Sequence, residues 1–236
     1  MRRLKFLSTM HLLCRLLVLL LLGLGSGLTA QSSGPFYSAM RDNVTQLDTN
    51  LSQTTLIRLA ANFERIGRVE REHWLPRYYS AFCYATIAYR ERDLDKVDEW
   101  CDRATFALDE AAQLEHPPAE ISIVRALIDY ARIQVDFMGR GLERSDSALR
   151  HIKQAAETDP ENPRAFALLA QHYFNIPPQM GGDREKGCRY GNRAAELFAA
   201  SRERAADHYT IEPHWGEGDV QELLAKLCGG VKNSKK

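Results

Sequence analysis

Asp159-Pro160-Glu161-Asn162-Pro163 joins two apolar patterns of the same kind. Ahead of it, Ala148, Ile152 and Ala155 recur on one helix face; behind it, Phe166, Leu169, Ala170 and Tyr173 recur on another. Apolar residues three and four apart make the stripe of a helix that buries one side. Pro160 cannot continue the first helix. Pro163 suits the opening turn of the second, where its missing N–H has no partner to lose. The stretch therefore reads as the joint between two packed helices, and no period-two alternation anywhere in the chain suggests a strand.

Working outward, the same alternation of helix and joint fills the chain. A first helix is expected over Ala39 to Leu47. A second is expected from the cap Ser52 to about Arg68, with Leu56, Leu59, Ala60 and Phe63 inward. The segment Tyr78 to Tyr89, opened by Pro76, is apolar nearly all round and needs neighbours on several sides. It turns at Glu91-Arg-Asp93 and returns over Asp95 to about Leu114. His116-Pro-Pro118 breaks the chain, a helix carrying Ile123, Leu127, Tyr130 and Ala131 follows, and Gly139-Arg-Gly141 is expected to end it before a return over Arg144 to Thr158. A third pair is expected over Pro163 to Phe174 and Asp183 to Ala200, with Gly181-Gly182 as a turn and Asp183 as a cap. Ile211 to Gly218 then leads to a last helix near Asp219 to Leu227. Small residues lie 12 apart at Ala85 and Val97, but 17 apart at both Ala131–Ala148 and Ala170–Gly187. The shared offset predicts a loop lengthened by the same amount in the second and third pairs.

The N-terminus carries Arg2, Arg3 and Lys5, an apolar run Leu16–Leu24 and small residues up to Ala30, the pattern of a signal peptide over residues 1–30. The run is too short to span a bilayer, which takes about 20 apolar residues. No transmembrane segment is expected after cleavage, and the product is expected to be periplasmic or secreted. The formal net charge of +0 then changes: without Arg2, Arg3, Lys5 and Arg15, 27 basic residues face 31 acidic ones, which argues against nucleic acid as a partner. Residues 31–228 suffice for one helical repeat domain, and the basic stretch 229–236 is expected to be a flexible tail. Among Cys83, Cys101, Cys188 and Cys228, export permits disulfides. Cys83 and Cys101 fall on successive helices, so a bridge between them is expected if both face the shared seam; otherwise they are small buried thiols.

Small and large residues at these offsets resemble a tetratricopeptide repeat. At Trp74-Leu-Pro-Arg-Tyr-Tyr79, Asp159-Pro-Glu-Asn-Pro-Arg164 and Pro178-Gln-Met-Gly-Gly-Asp-Arg-Glu-Lys-Gly187 the chain resembles exported tetratricopeptide-repeat proteins of Bacteroidetes type. Glu212-Pro-His-Trp-Gly216 resembles the C-terminal signature of that group. The resemblance covers nearly the whole mature chain. It implies antiparallel helix pairs in a short right-handed superhelix with a C-terminal capping helix, in a group mostly of unknown activity. There is a more distant similarity to the repeat-containing accessory component of tripartite periplasmic transporters. The chain departs from the repeat pattern at Gly191 and Ala199, so the third pair is expected to be a terminal unit closed by Trp215 and the last helix.

In such a fold the first helix of each pair faces a groove. The resemblance places Tyr79, Phe82, Tyr89, Arg125, Arg132, Arg164 and Gln171 on that surface. Tyrosines there suit an apolar side chain or a sugar ring, and Arg132 with Arg164 suits a carboxylate held through paired donors; the plainer alternative is that these arginines pair with local acids. His208 and His214 stand among acids, but Pro213 prevents a helical ligand pair, so a polar loop pinned by Trp215 is expected instead of a metal site. His172 is expected in the groove or the core. No Gly-x-Ser-x-Gly, phosphate-binding loop or His-Glu-x-x-His occurs. The expectation is no catalytic residue, no cofactor and no enzyme. The chain reads as an envelope interaction module or scaffold binding a protein or peptide in its groove, or alternatively as a periplasmic accessory protein that binds a small, acidic solute for a transporter.

Overall fold

The structure, a computed structural model, describes residues 34–48, 51–205 and 210–229. The expected signal peptide lies outside these residues, as does the tail beyond Gly229. The chain divides after Tyr37 into a short N-terminal unit, of which residues 34–37 are described, and a unit from Ser38 onward that holds every helix pair.

Among the described residues there are nine α-helices and no strand. They are α1 (Pro35–Val44), α2 (Gln53–Val69), α3 (Leu75–Arg90), α4 (Leu94–Ala112), α5 (Pro118–Ile133), α6 (Phe137–Thr158), α7 (Pro163–Asn175), α8 (Arg184–Ala205) and α9 (Glu217–Leu227). Prolines open α3, α5 and α7, and side-chain caps hold the starts of α2, α7 and α8. Ser52 accepts the Thr55 N–H, Asn162 the Arg164 N–H and Asp183 the Lys186 N–H. Asp183 is held below the ordinary carboxylate range, chiefly by that backbone hydrogen bond.

α3 packs on α4, α5 on α6 and α7 on α8, while α3, α5 and α7 also contact one another in series. This is a helical-repeat array whose first helices share one side. α3 is buried nearly all round, as its composition demanded, because α2, α4 and α5 all press on it. Around the 159–163 joint, Ala148, Ile152 and Ala155 of α6 pack with Ala165, Leu168 and Leu169 of α7 and Ile123 of α5. Replacing fully buried Ile152 by Ala is expected to cost about 2–5 kcal/mol in urea melts, because these helices leave little room to collapse around the hole.

The joint before α6 departs from expectation. Gly139-Arg-Gly141 does not end a helix; it lies inside α6, which starts seven residues earlier than the Arg144 expected. Asp136 accepts the Gly139 N–H at 2.8 Å and caps the new start, and Gly141 packs beneath the Phe137 ring. The equal spacings of 17 therefore have different causes. The second pair has a longer return helix, whereas the third has a true loop with a 3₁₀ turn at Pro178–Met180.

The expected Cys83–Cys101 bridge is absent: both are free, buried thiols. The Cys101 sulfur, on α4, reaches instead to the Ile128 carbonyl of α5, 3.9 Å away. The bridge joins Cys188 on α8 to Cys228 just past α9, with Cα atoms 5.8 Å apart. Closing a 40-residue loop restricts the unfolded chain by about 4 kcal/mol on the chain-entropy scale. Burial pushes the Cys83 thiol well up and the Cys101 thiol to about 12. Native oxidised protein is thus expected to show no titratable thiol to a disulfide reagent, and Cys83 and Cys101 only after unfolding; labelling at Cys188 would contradict the pairing.

α9 completes the third pair. Val220 packs with Ala167, Ala194 and Phe198. Gly191, a departure from the repeat pattern, is what admits Leu224: a Cβ there would lie 2.9 Å from the leucine methyl.

Candidate ligand groove under the C-terminal segment

The side shared by α3, α5 and α7 is covered by the extended segment Thr210–Gly216, which passes over it on the way to α9. Ile211 is buried and its carbonyl accepts the Tyr79 hydroxyl at 2.9 Å. The Trp215 indole N–H donates to the Tyr78 hydroxyl at 2.9 Å, and its ring stacks on Phe82 at 4.6 Å between centroids. Gly216 then turns the chain into α9 at φ 100°, a conformation a side chain would strain.

Beneath this strap lies a buried polar knot. Glu120, on the first turn of α5, accepts from Tyr78 at 2.7 Å and Asn162 at 2.6 Å, and from the Arg164 guanidinium through both oxygens. Burial works against the Arg164 charge, but Glu120 opposite it holds the guanidinium protonated. Burial, and then Glu120, raise the Tyr78 hydroxyl well above its ordinary range. Arg164 also lies over the Trp215 ring at 5.9 Å.

Between the strap, α9 and the helices opens a cavity of about 1140 Å³, slightly larger than the usual small-molecule site. Phe82, Thr86 and Arg90 of α3 reach it from one side, Leu47, Leu51 and Leu56 line it from the α1–α2 region, and Phe198, Arg202 and Arg204 of α8 line it from the other. Its lining carries seven carboxylates and four guanidiniums. The guanidiniums are engaged: Arg164 with Glu120, Arg202 with Glu217, Arg204 with Glu161 at 3.2 Å, and Arg90 with the Leu51 carbonyl at 3.0 Å. Glu212 of the strap is pushed above the ordinary carboxylate range, first by shielding from water and then by Glu120. A ligand here meets aromatic and leucine surface at Phe82, Phe198, Trp215, Leu47, Leu51 and Leu56, and over the rest of the wall a lining with more carboxylates than guanidiniums.

The residues expected on a single groove surface separate. Phe82 and Arg164 line the cavity. Tyr79 is closed off under Ile211. Arg125 and Arg132 line a different cavity of about 410 Å³ with Arg144 and His151. At 3.6 residues per turn they lie roughly 120–140° round α5 from Glu120, which faces the strap. Arg132 is held by Asp98 at 3.0 Å and Asp102 at 2.6 Å, and Arg125 by Asp109 at 2.8 Å. Tyr89 is exposed and Gln171 half-buried, and neither lines either cavity. Arg132 and Arg164 thus do not form a carboxylate clamp; local acids hold both. Glu120, the centre of the knot, is not picked out by the sequence because a Glu in the first turn of a helix reads as solvated.

His172 lies in the core, where its Nδ1 is 2.9 Å from the Tyr130 hydroxyl. Burial holds its pKa below the ordinary 6.5. The unfolded chain therefore binds a proton at His172 that the native chain refuses, so this group's contribution to stability falls as pH drops below about 6.5. Urea melts at pH 7.5 and 5.5 are expected to show that loss, and His172→Gln is expected to reduce it.

Among the described residues no group of His, Cys, Asp and Glu is placed to hold a metal ion, and no helix is long and apolar enough to cross a membrane. No family model and no curated protein matches the chain. Among solved structures the chain is similar to the HusA haemophore from Porphyromonas gingivalis, at 28% identity and a TM-score of 0.75, over 88% of this chain and 100% of that one. The likeness fits an all-α helical array and supports, coarsely, a binding protein.

Proposed function

We propose that the chain is an exported binding protein that carries a flat, largely apolar small ligand, haem or a related tetrapyrrole, in the groove beneath its C-terminal strap. The observation that carries this reading is the Phe82–Trp215 stack set in the wall of a roomy cavity that also presents Leu47, Leu51, Leu56 and Phe198, in a chain similar along its length to a haemophore. The ring system would lie against the aromatic and leucine surface. Its carboxylates would face the mouth, where Arg202 and Arg204 are 62% and 57% exposed. His214 lines the same cavity, with Nδ1 2.8 Å from the Glu212 carbonyl; no residue is assigned to the iron. The N-terminal signal pattern supports export, the repeat spacing supports membership among exported tetratricopeptide-repeat proteins, and the side chains of the groove are given binding roles and no catalytic ones.

A second reading is capture of an extended peptide or protein segment of the envelope. It is favoured by one observation: the groove already accommodates an extended segment, its own strap. Titration of the mature chain with haemin and with metal-free protoporphyrin IX, followed by porphyrin absorbance and tryptophan quenching, separates the two. Saturable binding of both porphyrins, weakened by Phe82→Ala and unaffected by Arg132→Ala, is the expected result. Absence of porphyrin binding, with binding of Trp- and Pro-containing peptides instead, would transfer the function to the second reading.

A further inference from the structure

We propose that the strap and α9 form a clasp over the groove, and that the Cys188–Cys228 disulfide is its catch, so that reduction opens the site. The clasp as a regulator rests on the groove being the ligand site. Its mechanics rest on how little else holds α9. That helix has 11 residues, too few to be stable alone. Only Val220 on it is buried, with Leu224 lodged at Gly191. At its far end the attachments are the disulfide and the Arg184 guanidinium on the Leu227 carbonyl. At its near end Arg202 of α8 holds Glu217 through an exposed ion pair, and the helix continues directly into Trp215 and the strap. Three carboxylate residues of the groove lining, Glu217, Asp219 and Glu222, belong to α9, so undocking α9 removes a wall of the cavity.

The catch is accessible and selective. Cys188 and Cys228 are both half-buried, within reach of a small or protein dithiol. Cys83 and Cys101 are buried, and the same burial keeps their thiols protonated and unreactive. A dithiol reductant would therefore act on one bond. One reductant thiolate attacks a sulfur of the bridge, the other resolves the mixed disulfide, the reductant leaves as its own disulfide, and Cys188 and Cys228 each end as a thiol. The array from α3 to α7 has no share in that bond: α3 packs on α4 and α5 through buried residues, and α5, α6 and α7 share a core of their own.

Hydrogen exchange followed by mass spectrometry on the mature chain, oxidised and after a dithiol reductant, tests this without any ligand, so its outcome is independent of whether a porphyrin binds. The expected result is at least tenfold faster exchange in peptides covering 211–227 on reduction, with α3 to α6 unchanged, and the same pattern in a Cys188→Ser/Cys228→Ser variant. Unchanged exchange at 211–227 would overturn the proposal, since the clasp would be held without its catch. Loss of protection throughout the chain would also overturn it, since the bridge would be a general staple. If porphyrin binding is found, reduction is expected to weaken it tenfold or more.

Discussion

Arg164→Met is expected to cost about 3–5 kcal/mol, the penalty for removing one partner of a buried ion pair and leaving the other charged and desolvated. The side chains of Arg164 and Glu120 are only 9% and 4% exposed, so solvent does little to screen the loss. Glu120 would keep the Tyr78 and Asn162 donors but lose its countercharge. For a folded unit of this size the penalty corresponds to a fall of about 10 °C in Tm. Glu120→Leu is expected to be equally damaging. The double variant Glu120→Leu/Arg164→Met is expected to recover a large part of the loss, because a well-packed apolar pair removes the unpaired charge. Recovery stays partial, since Tyr78 and Asn162 lose their acceptor. Calorimetric melts of the four proteins make a double-mutant cycle; singles costing under about 1 kcal/mol would mean that the pair is solvated.

Phe82→Ala is expected to lower porphyrin affinity by roughly 10–100-fold, while the fold survives with a small drop in Tm. The ring contributes contact area and an offset stack, together about 1.5–3 kcal/mol, and each 1.4 kcal/mol is a factor of ten in Kd. Phe82 is half-buried at the groove and is not among the residues closed into the core, so its removal leaves the helix array intact. Arg132→Ala serves as the contrast. It breaks the pairs with Asp98 and Asp102 on another side of α5 and is expected to leave porphyrin affinity unchanged. Equal losses from both variants would mean that the effect travels through stability and not through contact.

The helices were legible because their signals are local. Pro76 and Pro163 mark starts, Ser52 and Asp183 mark caps, and the stripes of Leu56–Leu59–Phe63 and Ala148–Ile152–Ala155 face inward as their periods require. The start of α6 was misread because two glycines lowered its apparent helix propensity, while Asp136, a cap three residues ahead of Gly139, outweighs that cost. The site was less legible because its defining contacts are long-range. Tyr78, Asn162 and Arg164 meet Glu120 across 42–44 residues, Trp215 meets Tyr78 across 137, and the pairing of Cys188 with Cys228 depends on α9 docking on α8. The rotation that parts Arg125 and Arg132 from the groove was available in the sequence, at 100° per residue, once Glu120 rather than Arg132 was taken to face it.

A ligand is expected to enter the groove between the strap and the first helices. The chain has three tryptophans, Trp74, Trp100 and Trp215, and an indole N–H resonance reports on each. Titrating isotope-labelled protein with metal-free protoporphyrin IX and reading proton–nitrogen correlation spectra tests this directly. The Trp215 indole and backbone amides of Phe82, Thr86 and Arg90 are expected to shift together and saturably, while the Trp100 indole and the amides of Arg125 and Arg132 stay still. Shifts confined to the Arg125–Arg132 side, or a Trp215 indole that does not move while porphyrin binds, would contradict it.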